Sequence, residues 1–350
     1  MNKRPHTKYF IREHLQEPYQ NGGIGYTDAE RILAAENYQP LFLPCHFSFS
    51  LLSKIRRLLY LIRVFITLPA GAIVVFMLPQ YATMNRWLVA MLGWRHSIKR
   101  VALLGDINGV KHNDPALLQK ELRAYRQYDF LIVHNQWMKD WVQRQLPGSR
   151  CTMINFFDFL AEPNIYPVQQ EHIIAYAGNL QEGLFLNSVK TLLNTNPSIL
   201  FRVYGQPYTS QMAEQPNLEY MGTSEPYALP AKLKASYGLV WYGGSLDHVA
   251  GNIGPYLSII SPHKASLYLL CGIPLIVPAH TAIAGLVLQH KLGIVISNLH
   301  EIQSAMDFVS AEEYASMCKN VKVMAASVAA GQGLRMALHE AESLYSENSR

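Results

Sequence analysis

Short apolar runs alternate along the chain with longer stretches whose apolar residues recur at helical spacing. A short run rich in Val, Ile and Leu is typical of a strand buried on both faces, and helical spacing predicts a helix packed on one side. In the first half the predicted strands are residues 40–43, 72–78, 101–104, 130–133 and, more weakly, 151–154. The predicted helices between them are residues 28–36, 51–67, 84–92, 115–126 and 136–145.

The second half repeats this alternation after a stretch with two prolines and no periodicity, residues 160–167, which is the predicted linker. Its predicted strands are residues 172–176, 200–204, 218–221, 238–241, 274–277 and 293–296. Its predicted helices are residues 185–193, 230–236, 262–271, 283–290 and 300–308, followed by a helical tail. Strands that alternate with helices predict an α/β fold with helices on both faces of a parallel sheet.

We therefore expect two doubly wound, Rossmann-like domains, residues 1–160 and 168–330, with a C-terminal helix at residues 331–350. Two such domains joined by one linker place a cleft between them, and ligands of open parallel sheets bind beyond the carboxyl ends of the strands. Thr27-Asp28-Ala29-Glu30 and Ser310-Ala311-Glu312-Glu313 have the spacing of capping boxes, which predicts a helix start at each.

One apolar stretch, residues 58–79, approaches the length of a membrane span and contains a single charge, Arg63. Pro69, Gly71 and Pro79 interrupt it, so we interpret it as the end of a basic helix followed by a buried parallel strand. The helix, residues 51–67, joins basic side chains to a broad apolar face. Such a helix suits an anionic lipid surface or, more commonly, a core that leaves a basic outer edge.

Charge is distributed unevenly over the 350 residues, whose net charge is +5. Residues 1–160 contain 20 Lys and Arg against 11 Asp and Glu, whereas residues 161–350 contain 10 against 14. The first half therefore suits an anionic partner, such as a phosphate-linked substrate, an acidic membrane surface or nucleic acid, unless its basic side chains only solvate it.

Cysteine use and the N-terminal residues predict a compartment. Four widely spaced cysteines without a C-x-x-C pair argue against a zinc site or a disulfide framework and favour a reducing environment. The polar N-terminal residues lead into no apolar run that suits a secretory signal. We expect a cytoplasmic protein, and contact with the inner face of the cell membrane stays open because the first half is basic.

Most common catalytic and cofactor motifs are missing from the sequence. It has no G-x-G-x-x-G after the first strand, no P-loop, no G-x-S-x-G elbow, no H-E-x-x-H pair and no carboxylate cluster that indicates a metal. Candidate chemistry therefore lies in loops at predicted strand ends, where Gly178-Asn179 and Tyr204-Gly205 follow two strands. Glycine lets the backbone approach a ligand closely, and asparagine supplies hydrogen bonds.

A further segment, Ser261-Pro262-His263-Lys264, opens a predicted helix. Proline is favoured at a helix start, and the unpaired N–H groups and dipole of a first turn favour an anion. His263 and Lys264 add donors and positive charge, so the segment suits a diphosphate, although the same pattern is more often only a capped helix. The residues by themselves therefore predict two α/β domains and a candidate phosphate site, but no reaction.

Five stretches of the second half share their order and spacing with one known group of enzymes. These stretches are Tyr176-Ala177-Gly178-Asn179-Leu180, Tyr204-Gly205, Tyr237-Gly238-Leu239-Val240-Trp241, Pro262-His263-Lys264-Ala265-Ser266-Leu267-Tyr268-Leu269 and Gly272-Ile273-Pro274-Leu275-Ile276-Val277. Thinner likeness in the first half is confined to Asp28-Ala29, Asp106-Ile107, His134-Asn135 and the stretch before the linker. The chain resembles bacterial glycosyltransferases that assemble cell-surface glycans, among them β-1,6-galactofuranosyltransferases of O-antigen synthesis and glucosyltransferases that extend adhesin glycans.

The resemblance implies a GT-B fold, with the nucleotide bound by the C-terminal domain and the acceptor by the N-terminal domain. It implies a UDP-hexose donor, UDP-galactofuranose or UDP-glucose, a lipid-linked or protein-linked glycan acceptor, inverting transfer, and no metal or other cofactor. Nucleic acid is not expected as a partner, and homo-oligomerisation stays open. By likeness, the residues assigned to the nucleotide-sugar site are Gly178, Asn179, Tyr204, Gly205, Ser261, His263, Lys264 and Ser266.

At three strand-end positions the chain departs from the galactofuranosyltransferases it resembles. It reads Trp241-Tyr242-Gly243-Gly244-Ser245 where they carry two acidic residues, Ile260-Ser261 where they have Asn-Asn, and Gly105-Asp106-Ile107-Asn108 where they have His-Asp-Ile-Asp. These differences leave the transferred sugar open. They also leave room for a non-catalytic GT-B partner that binds glycan or a companion glycosyltransferase, whereas a UDP-sugar epimerase would want paired carboxylates that we do not find.

An inverting transfer needs a base for the acceptor hydroxyl, and Asp106 is our candidate because it follows a strand of the acceptor-side domain. Its alternative interpretation is a turn or helix cap. His134 and Asp158 are further options. Gly23 and Gly25, within Gly22-Gly23-Ile24-Gly25, predict either a mobile acceptor loop or a flexible lead into the first helix.

Overall fold

The computed structural model describes residues 7–13, 23–43, 50–80, 85–164, 167–208, 215–249 and 253–347. The chain forms two compact units, of which the first comprises Met1–Ile154 with Leu334–Arg350 and the second comprises Asn155–Gly333. The division thus falls a few residues before the expected boundary at residue 160. The C-terminal residues belong to the first unit, where the carboxylate of Glu342 accepts hydrogen bonds at 2.8 Å from Lys8 and Tyr38.

The first unit is built on a six-stranded parallel sheet. Its strands are β1 (Lys8–Glu13), β2 (Gln39–Leu43), β3 (Ile73–Leu78), β4 (Lys99–Leu104), β5 (Phe130–Val133) and β6 (Cys151–Met153). Its helices are α1 (Gly23–Ala35), α2 (Leu51–Thr67), α3 (Asn85–Leu92), α4 (Asn108–Lys111), α5 (Pro115–Tyr125) and α6 (Gln136–Gln145). The strand order is β2-β1-β3-β4-β5-β6. All six residues of β3 are buried, which shows that both faces of the sheet are covered.

The apolar stretch around residues 58–79 folds as the sequence predicts, with α2 followed by β3. Strand β3 lies inside the sheet, in parallel register with β1 and β4. Val74 and Phe76 of β3 pack in one cluster with Leu61 of α2 and Leu88 of α3. Across the described part of the chain, no helix has both the length and the apolar character that a membrane span requires.

Strand β1 is not predicted by the apolar pattern, yet it pairs with both β2 and β3. Phe10 and Ile11 of this strand are buried, and charged residues surround them in the sequence. Two of these charges form ion pairs within the unit, Lys8 with Glu342 and Arg12 with Glu30, each at 2.8 Å. Ion pairing allows a central strand to carry charged residues, which obscures its apolar signature.

The start of α1 corrects two predictions. The helix begins at Gly23, five residues before the predicted start, so Gly23 and Gly25 form its first turn and are not a loop. Thr27 is therefore inside the helix, and its hydroxyl donates to the carbonyl of Gly23 at 2.9 Å. The predicted capping box at Thr27 is wrong, because Thr27 bonds back to the preceding turn. Gly22 lies outside the described residues.

The second unit contains another six-stranded parallel sheet. Its strands are β7 (Ile173–Asn179), β8 (Leu200–Gln206), β9 (Leu218–Tyr220), β10 (Tyr237–Leu239), β11 (Leu275–Pro278) and β12 (Gly293–Ile296). Its α-helices are α7 (Val189–Thr195), α8 (Leu229–Lys232), α9 (Ile253–Leu257), α10 (His263–Leu270), α11 (Ala282–His290), α12 (Ile302–Asp307), α13 (Ala311–Ala329) and the start of α14 (Gln332–Glu347). Short 3₁₀ helices occupy Leu180–Glu182, Leu184–Ser188, Pro226–Ala228 and Leu299–Glu301. The strand order is β12-β11-β10-β7-β8-β9.

The helical tail begins as predicted, because Ser310 and Glu313 form a complete capping box. The Ser310 hydroxyl accepts from the Glu313 N–H at 3.2 Å, and the Glu313 carboxylate accepts from the Ser310 N–H at 2.9 Å. The tail is two helices, since Gly331 adopts a φ of 68° between α13 and α14. A residue in this left-handed region ends a helix, and glycine enters it without strain.

Candidate functional site

In the second sheet the strand order reverses beside β7. Strands β8 and β9 lie on one side of β7, and β10, β11 and β12 lie on the other. The loops that leave β7 and β10 therefore diverge, and ligands of such sheets bind in the crevice beyond these carboxyl ends. The predicted Gly178-Asn179 ends β7, and the segment 240–245 follows β10, so the fold brings both to this crevice.

Hydrogen bonds join the two loops directly. The hydroxyl of Tyr176 in β7 donates to the carbonyl of Trp241 at 3.1 Å. Gly243 donates its N–H to the Glu182 carbonyl at 2.9 Å, and its own carbonyl accepts from the Phe185 N–H at 2.7 Å. Backbone pairs of this kind fix both loops in one arrangement, so the crevice has a defined wall before any ligand binds.

Helix α10 is anchored at the same edge by Tyr268. The Tyr268 hydroxyl accepts from the Ala177 N–H at 2.8 Å, just before the end of β7. The ring lies against Gly238, where a Cβ atom would lie 2.2 Å from the Tyr268 Cγ, so β10 requires a glycine here. Lys264 is four residues earlier and shares the helix face of Tyr268, which directs its side chain toward the end of β7.

The ammonium of Lys264 is buried beside two aromatic rings. Its Nζ lies 4.0 Å from the ring centroid of Tyr176 and 4.4 Å from that of Tyr242. The side chain is 8% exposed, and Nζ has no hydrogen-bond partner among the described residues. Burial lowers the pKa of Lys264 from 10.5 to about 8, opposed by the charge of Glu182. A cation that is buried without a bonded partner is costly, and an anionic ligand would satisfy it.

The two glycines at the ends of β7 and β8 serve different purposes. Gly178 has a φ of 123° and Gly205 a φ of 134°, both outside the range that other residues favour. A Cβ atom on Gly205 would lie 1.9 Å from the Gly178 carbonyl oxygen, so Gly205 is needed for the close approach of the strands. A Cβ on Gly178 would meet only the Lys264 Cε, at 3.7 Å, and Gly178 is exposed. Gly178 therefore leaves exposed backbone beside Lys264 at this edge.

Asn179 and Tyr204, both assigned to the nucleotide site from the sequence, have structural hydrogen bonds. Asn179 is partly exposed, and its side-chain oxygen accepts from the Gln181 N–H at 3.1 Å. Tyr204 is buried, and its hydroxyl accepts from the Lys234 N–H at 3.2 Å. Asn179 stays a candidate ligand because its amide nitrogen is a further donor. We interpret Tyr204 as a residue that holds the segment after α8.

Ser261 and Ser266 bind the segment that opens the second unit. The Ser261 hydroxyl donates to the Asn155 carbonyl at 2.6 Å, and the Ser266 hydroxyl donates to the Phe157 carbonyl at 2.7 Å. Both serines are buried, so their hydroxyls are already engaged within the protein. We therefore interpret Ser261 and Ser266 as residues that fix this segment.

His263 differs from its neighbour Lys264. Its ring packs near Phe157 and Phe159, with centroid separations of 5.8 and 5.1 Å. Burial lowers the pKa of His263 to about 4. The imidazole is therefore neutral at pH 7, and the positive charge expected from His263 is absent, because an apolar environment disfavours the imidazolium. Its Nε2 has no partner among the described residues, so His263 stays a candidate for neutral hydrogen bonding.

In the first unit, the corresponding edge gathers the ends of β3 and β4 with the first turns of α1. Gly105, after β4, donates its N–H to the Leu78 carbonyl at 2.7 Å. A Cβ on Gly105 would lie 3.2 Å from the Tyr26 hydroxyl, which places α1 against this loop. Gly23 and Gly25 belong to the turns around Tyr26. The fold thus brings the acceptor-side glycines and the loop that carries Asp106 to one edge of this unit.

Asp106 is a partly exposed carboxylate in a well-fixed loop. Its Oδ2 lies 3.1 Å from the ammonium of Lys111. The next turn is held by Glu121, whose carboxylate accepts the N–H groups of Asn108 at 3.0 Å and Gly109 at 2.8 Å. Asp106 does not cap α4, since Glu121 takes the N–H groups that begin this helix. The Asp106 side chain is 40% exposed, so the carboxylate keeps a solvent-facing side.

His134 has a positioning role. Its side chain is buried, and its Nε2 lies 3.0 Å from the Leu104 carbonyl just before the Asp106 loop. Burial lowers the pKa of His134 to about 4. We therefore interpret His134, a buried and neutral imidazole, as a residue that supports the loop and not as a ligand of the acceptor. Asp158 is also buried, and its Oδ1 accepts from the Gly333 N–H at 3.1 Å, so it caps α14.

Several residues at the second-unit edge were missed by sequence reasoning. The rings of Tyr176 and Tyr242 lie beside the Lys264 ammonium, and the charge of Glu182 acts on it. These residues come from two segments far from Lys264 in the sequence, β7 with the 3₁₀ helix after it and the loop after β10. The spacing of Lys264 and Tyr268 by four residues was the one available signal, because it predicts a shared helix face.

The fold of the chain is similar to that of solved glycosyltransferase structures. The structure of HepE from Anabaena in complex with UDP and glucose is similar, with a TM-score of 0.62, 13% identity, and coverage of 97% of this chain and 99% of that one. At this identity the likeness shows the fold, which is the GT-B fold of glycosyltransferases. Family models of the glucosyltransferase 3-like N-terminal and C-terminal domains match residues 7–146 and 174–341. The chain belongs to the glucosyltransferase 3-like family.

Two relatives extend this comparison. The β-1,6-galactofuranosyltransferase WbbI of Escherichia coli K12 is 25% identical over 218 residues, which cover 61% of this chain and 63% of WbbI. Glucosyltransferase 3 of Streptococcus gordonii is 26% identical over 208 residues, which cover 59% of each chain. The chain thus spans about three fifths of the length of these relatives. The resemblance to bacterial glycan glycosyltransferases is confirmed.

Proposed function

We propose that this protein is a glycosyltransferase that moves a hexose from a UDP-sugar to a glycan acceptor. The observation that carries the proposal is the buried ammonium of Lys264, unpartnered among the described residues, beside the open backbone of Gly178 at the crossover of the second sheet. This arrangement suits a diphosphate, and HepE, which shares the fold, has been crystallised with UDP and glucose. The names of both relatives describe hexosyl transfer.

In this mechanism Lys264 binds the diphosphate of the donor near the start of α10. As the bond between the sugar C1 and the diphosphate oxygen breaks, negative charge grows on the leaving UDP. The ammonium and the dipole of α10 stabilise that charge, which makes the interaction stronger in the transition state than in the ground state. No step requires a metal, since Lys264 supplies the positive charge.

Asp106 is the proposed base of an inverting transfer. The acceptor hydroxyl oxygen attacks the sugar C1 from the face opposite to UDP, and its proton passes to the Asp106 carboxylate. Lys111, 3.1 Å away, orients that carboxylate. The acceptor is proposed to be a lipid-linked or protein-linked surface glycan, in keeping with the kind of enzyme that the relatives' names describe.

Glucose and galactofuranose are the proposed donor sugars. Tyr242 and Gly244 are uncharged where the galactofuranosyltransferases carry acidic residues, so the donor sugar meets a more apolar wall in this protein. A side chain that bonds a sugar hydroxyl discriminates strongly against sugars that lack it, whereas an apolar wall discriminates weakly. We therefore expect a broader choice of UDP-hexose than in enzymes with both acidic residues.

The test has two arms. Titration calorimetry with UDP should show binding that Lys264→Met weakens about 100-fold, because a charge-assisted contact to diphosphate is lost. The matched control, Lys190→Met, removes an exposed lysine of the same unit and should bind as the parent does.

The second arm is a mass-spectrometric screen of UDP-glucose, UDP-galactofuranose and UDP-galactose against lipid-linked and glycopeptide acceptors. Turnover with one of these donors is the expected result. UDP binding without turnover on every acceptor would contradict the proposal and favour a non-catalytic partner. Equal UDP affinity of Lys264→Met and the parent would remove Lys264 from the site.

A further inference from the structure

Helix α2 leaves an apolar stripe on the surface of the first unit. Of its 17 residues, only Leu61 and Val64 are buried. Seven large apolar side chains are exposed, with exposed fractions from 38% to 75%. They are Leu51, Leu52, Ile55, Leu58, Leu59, Ile62 and Ile66. Scattered exposed leucines are ordinary on proteins, but a contiguous row of seven marks an interaction surface.

These side chains form one face. At 100° per residue they fall within about a third of the helix circumference, away from the buried Leu61 and Val64. The stripe runs along nearly the whole helix, for roughly 25 Å at 1.5 Å per residue. The core-packing interpretation of α2 is therefore incomplete, because the helix has a second apolar face that the described residues of the unit leave exposed.

Basic side chains border the stripe. The helix contains Lys54, Arg56, Arg57 and Arg63 and no acidic residue. On the helix circumference Lys54 lies at one border of the apolar face, and Arg56 and Arg63 lie at the other. Long basic side chains at the borders of an apolar face extend their charged ends toward a polar boundary while their stems stay on the apolar side.

An exposed tryptophan adjoins the same helix. Trp94 is 79% exposed. The next residue, Arg95, donates to the Phe65 carbonyl of α2 at 2.5 Å, and its guanidinium lies 5.8 Å from the Phe65 ring centroid. The residue that follows Trp94 thus contacts the C-terminal half of α2. Tryptophan is enriched at the level of lipid headgroups, because its ring is apolar and its N–H is polar.

We propose that α2 is a docking surface for an anionic lipid bilayer, on which the helix lies parallel to the membrane plane. Its apolar stripe enters the boundary between headgroups and acyl chains, and its basic borders contact anionic headgroups. A second copy of the chain is a poor occupant, because a two-fold interface would bring the basic borders of two helices together. An anionic bilayer matches the apolar and basic features at once.

The test measures binding to vesicles by flotation. The parent protein should bind phosphatidylglycerol-containing vesicles and bind neutral phosphatidylcholine vesicles at least about tenfold more weakly, with the difference reduced at high salt. A triple variant removes three charges at the borders of the stripe: Lys54→Gln, Arg56→Gln and Arg63→Gln. It should lower the partition coefficient about 100-fold, because each basic residue near an anionic surface contributes about fivefold.

A second triple variant removes apolar contacts and keeps the charge: Leu52→Ser, Leu59→Ser and Ile66→Ser. It should weaken binding about tenfold or more on the same vesicles. All three positions are exposed, so the fold should be retained, which circular dichroism checks.

Two matched controls use exposed residues elsewhere on the chain. The charge control is Lys120→Gln, Arg126→Gln and Arg144→Gln in the first unit. The apolar control is Leu288→Ser, Phe308→Ser and Val323→Ser in the second unit. Both should bind vesicles within about twofold of the parent, since neither set belongs to α2.

Three outcomes would overturn the proposal. Equal binding to anionic and neutral vesicles would remove the role of the basic borders. Full binding by either α2 variant would place the membrane contact elsewhere. Sedimentation velocity that shows a dimer disrupted by the apolar α2 variant, together with no vesicle binding by the parent, would identify a second copy as the occupant.

Discussion

The strand-end edges of the two units differ in how their charges are balanced. In the second unit, the ammonium of Lys264 is buried against Tyr176 and Tyr242, with no hydrogen-bond partner among the residues that the structure describes. In the first unit, the carboxylate of Asp106 is partly exposed and forms an ion pair with Lys111 at 3.1 Å. The same type of sheet therefore presents a buried cation without a hydrogen-bond partner at one edge and an ion-paired carboxylate at the other.

This difference indicates what each edge can bind. A buried cation without a hydrogen-bond partner gains most from an anion, so the second-unit edge suits a diphosphate. A compensated pair gains little from a charged ligand but offers a carboxylate oxygen to a neutral hydroxyl, which suits a sugar acceptor. The contrast supports the proposed division into a donor-binding and an acceptor-binding unit.

The largest expected effect comes from the acceptor side. Asp106→Asn should reduce turnover about 10³-fold, since an amide cannot accept the hydroxyl proton. UDP affinity should stay within about twofold, because the diphosphate is proposed to bind in the other unit. The control Asp140→Asn changes an exposed carboxylate of the same unit and should leave turnover intact. If Asp106→Asn lost UDP affinity together with turnover, the assignment of the base and the diphosphate site to different units would be wrong.

The next largest effect is the loss of stability when a glycine at the strand-end edge of the second unit is replaced. Gly205→Ala should lower the free energy of unfolding by about 3 kcal/mol, because the new Cβ meets the Gly178 carbonyl in a strained backbone conformation. Gly222→Ala is the control, with a φ of 75° and no atom within 4 Å of the new Cβ. It should cost about 1 kcal/mol. Urea unfolding measures both, and equal costs would show that the strands do not need this close approach.

Removal of the buried Lys264 charge, which is proposed to bind the ligand, should stabilise the folded protein. Lys264→Met replaces an ammonium beside two aromatic rings with an apolar side chain, and we expect a gain of about 2 kcal/mol at pH 7 without ligand. Lys190→Met should change stability by less than about 0.5 kcal/mol. Thermal and urea unfolding give the comparison, and a destabilised Lys264→Met would mean that the ammonium has a structural partner.

The stability difference between Lys264→Met and the parent should depend on pH, because Lys264 titrates. The pKa of Lys264 is lowered from 10.5 to about 8 in the folded protein, so the unfolded chain binds the proton more tightly. Between these pH values the unfolded state carries more protons, and the stability of the parent rises with pH. The advantage of Lys264→Met should therefore shrink from about pH 8 upward. A constant advantage across this window would contradict the lowered pKa.

The smallest expected effect is the change in UDP affinity for each unit of pH. UDP affinity of the parent should fall up to tenfold for each pH unit above about 8, because the folded protein then loses the ammonium that contacts the diphosphate. Calorimetry at pH 7, 8 and 9 measures this dependence. Lys264→Met should lack it, and a matching pH dependence in that variant would assign the titration to another group.

The apolar pattern of the sequence was sufficient to predict most of the strands and helices. Strand β12 (Gly293–Ile296) and helix α2 (Leu51–Thr67) appear with the predicted bounds, because continuous apolar runs and helical spacing are local signals. Strand β1 escaped prediction, since its ends carry charges that are paired only in the folded unit. The start of α1 was misplaced because Thr27 has the spacing of a cap but lies within the helix.

The candidate site was predictable only in part. Lys264 and Gly178 follow from the sequence as residues at a helix start and a strand end, and in the fold a Cβ atom added to Gly178 would lie 3.7 Å from the Lys264 Cε. Ser261 and Ser266 have the right position in the sequence, but their hydroxyls bond the segment at Asn155–Phe157. A sequence does not show which way a side chain of a buried helix turn points, since that depends on what packs against it.

The sequence by itself determined the two α/β units, the family and the presence of a lysine at the start of α10, because these depend on local periodicity and on motifs in fixed order. Only the tertiary structure decided that Lys264 is buried between two tyrosines, that His263 and His134 are neutral, and that α2 keeps an exposed apolar face. Burial, charge pairing and uncovered surface arise from residues far apart in the chain, so they exist only once the strands and helices have assembled.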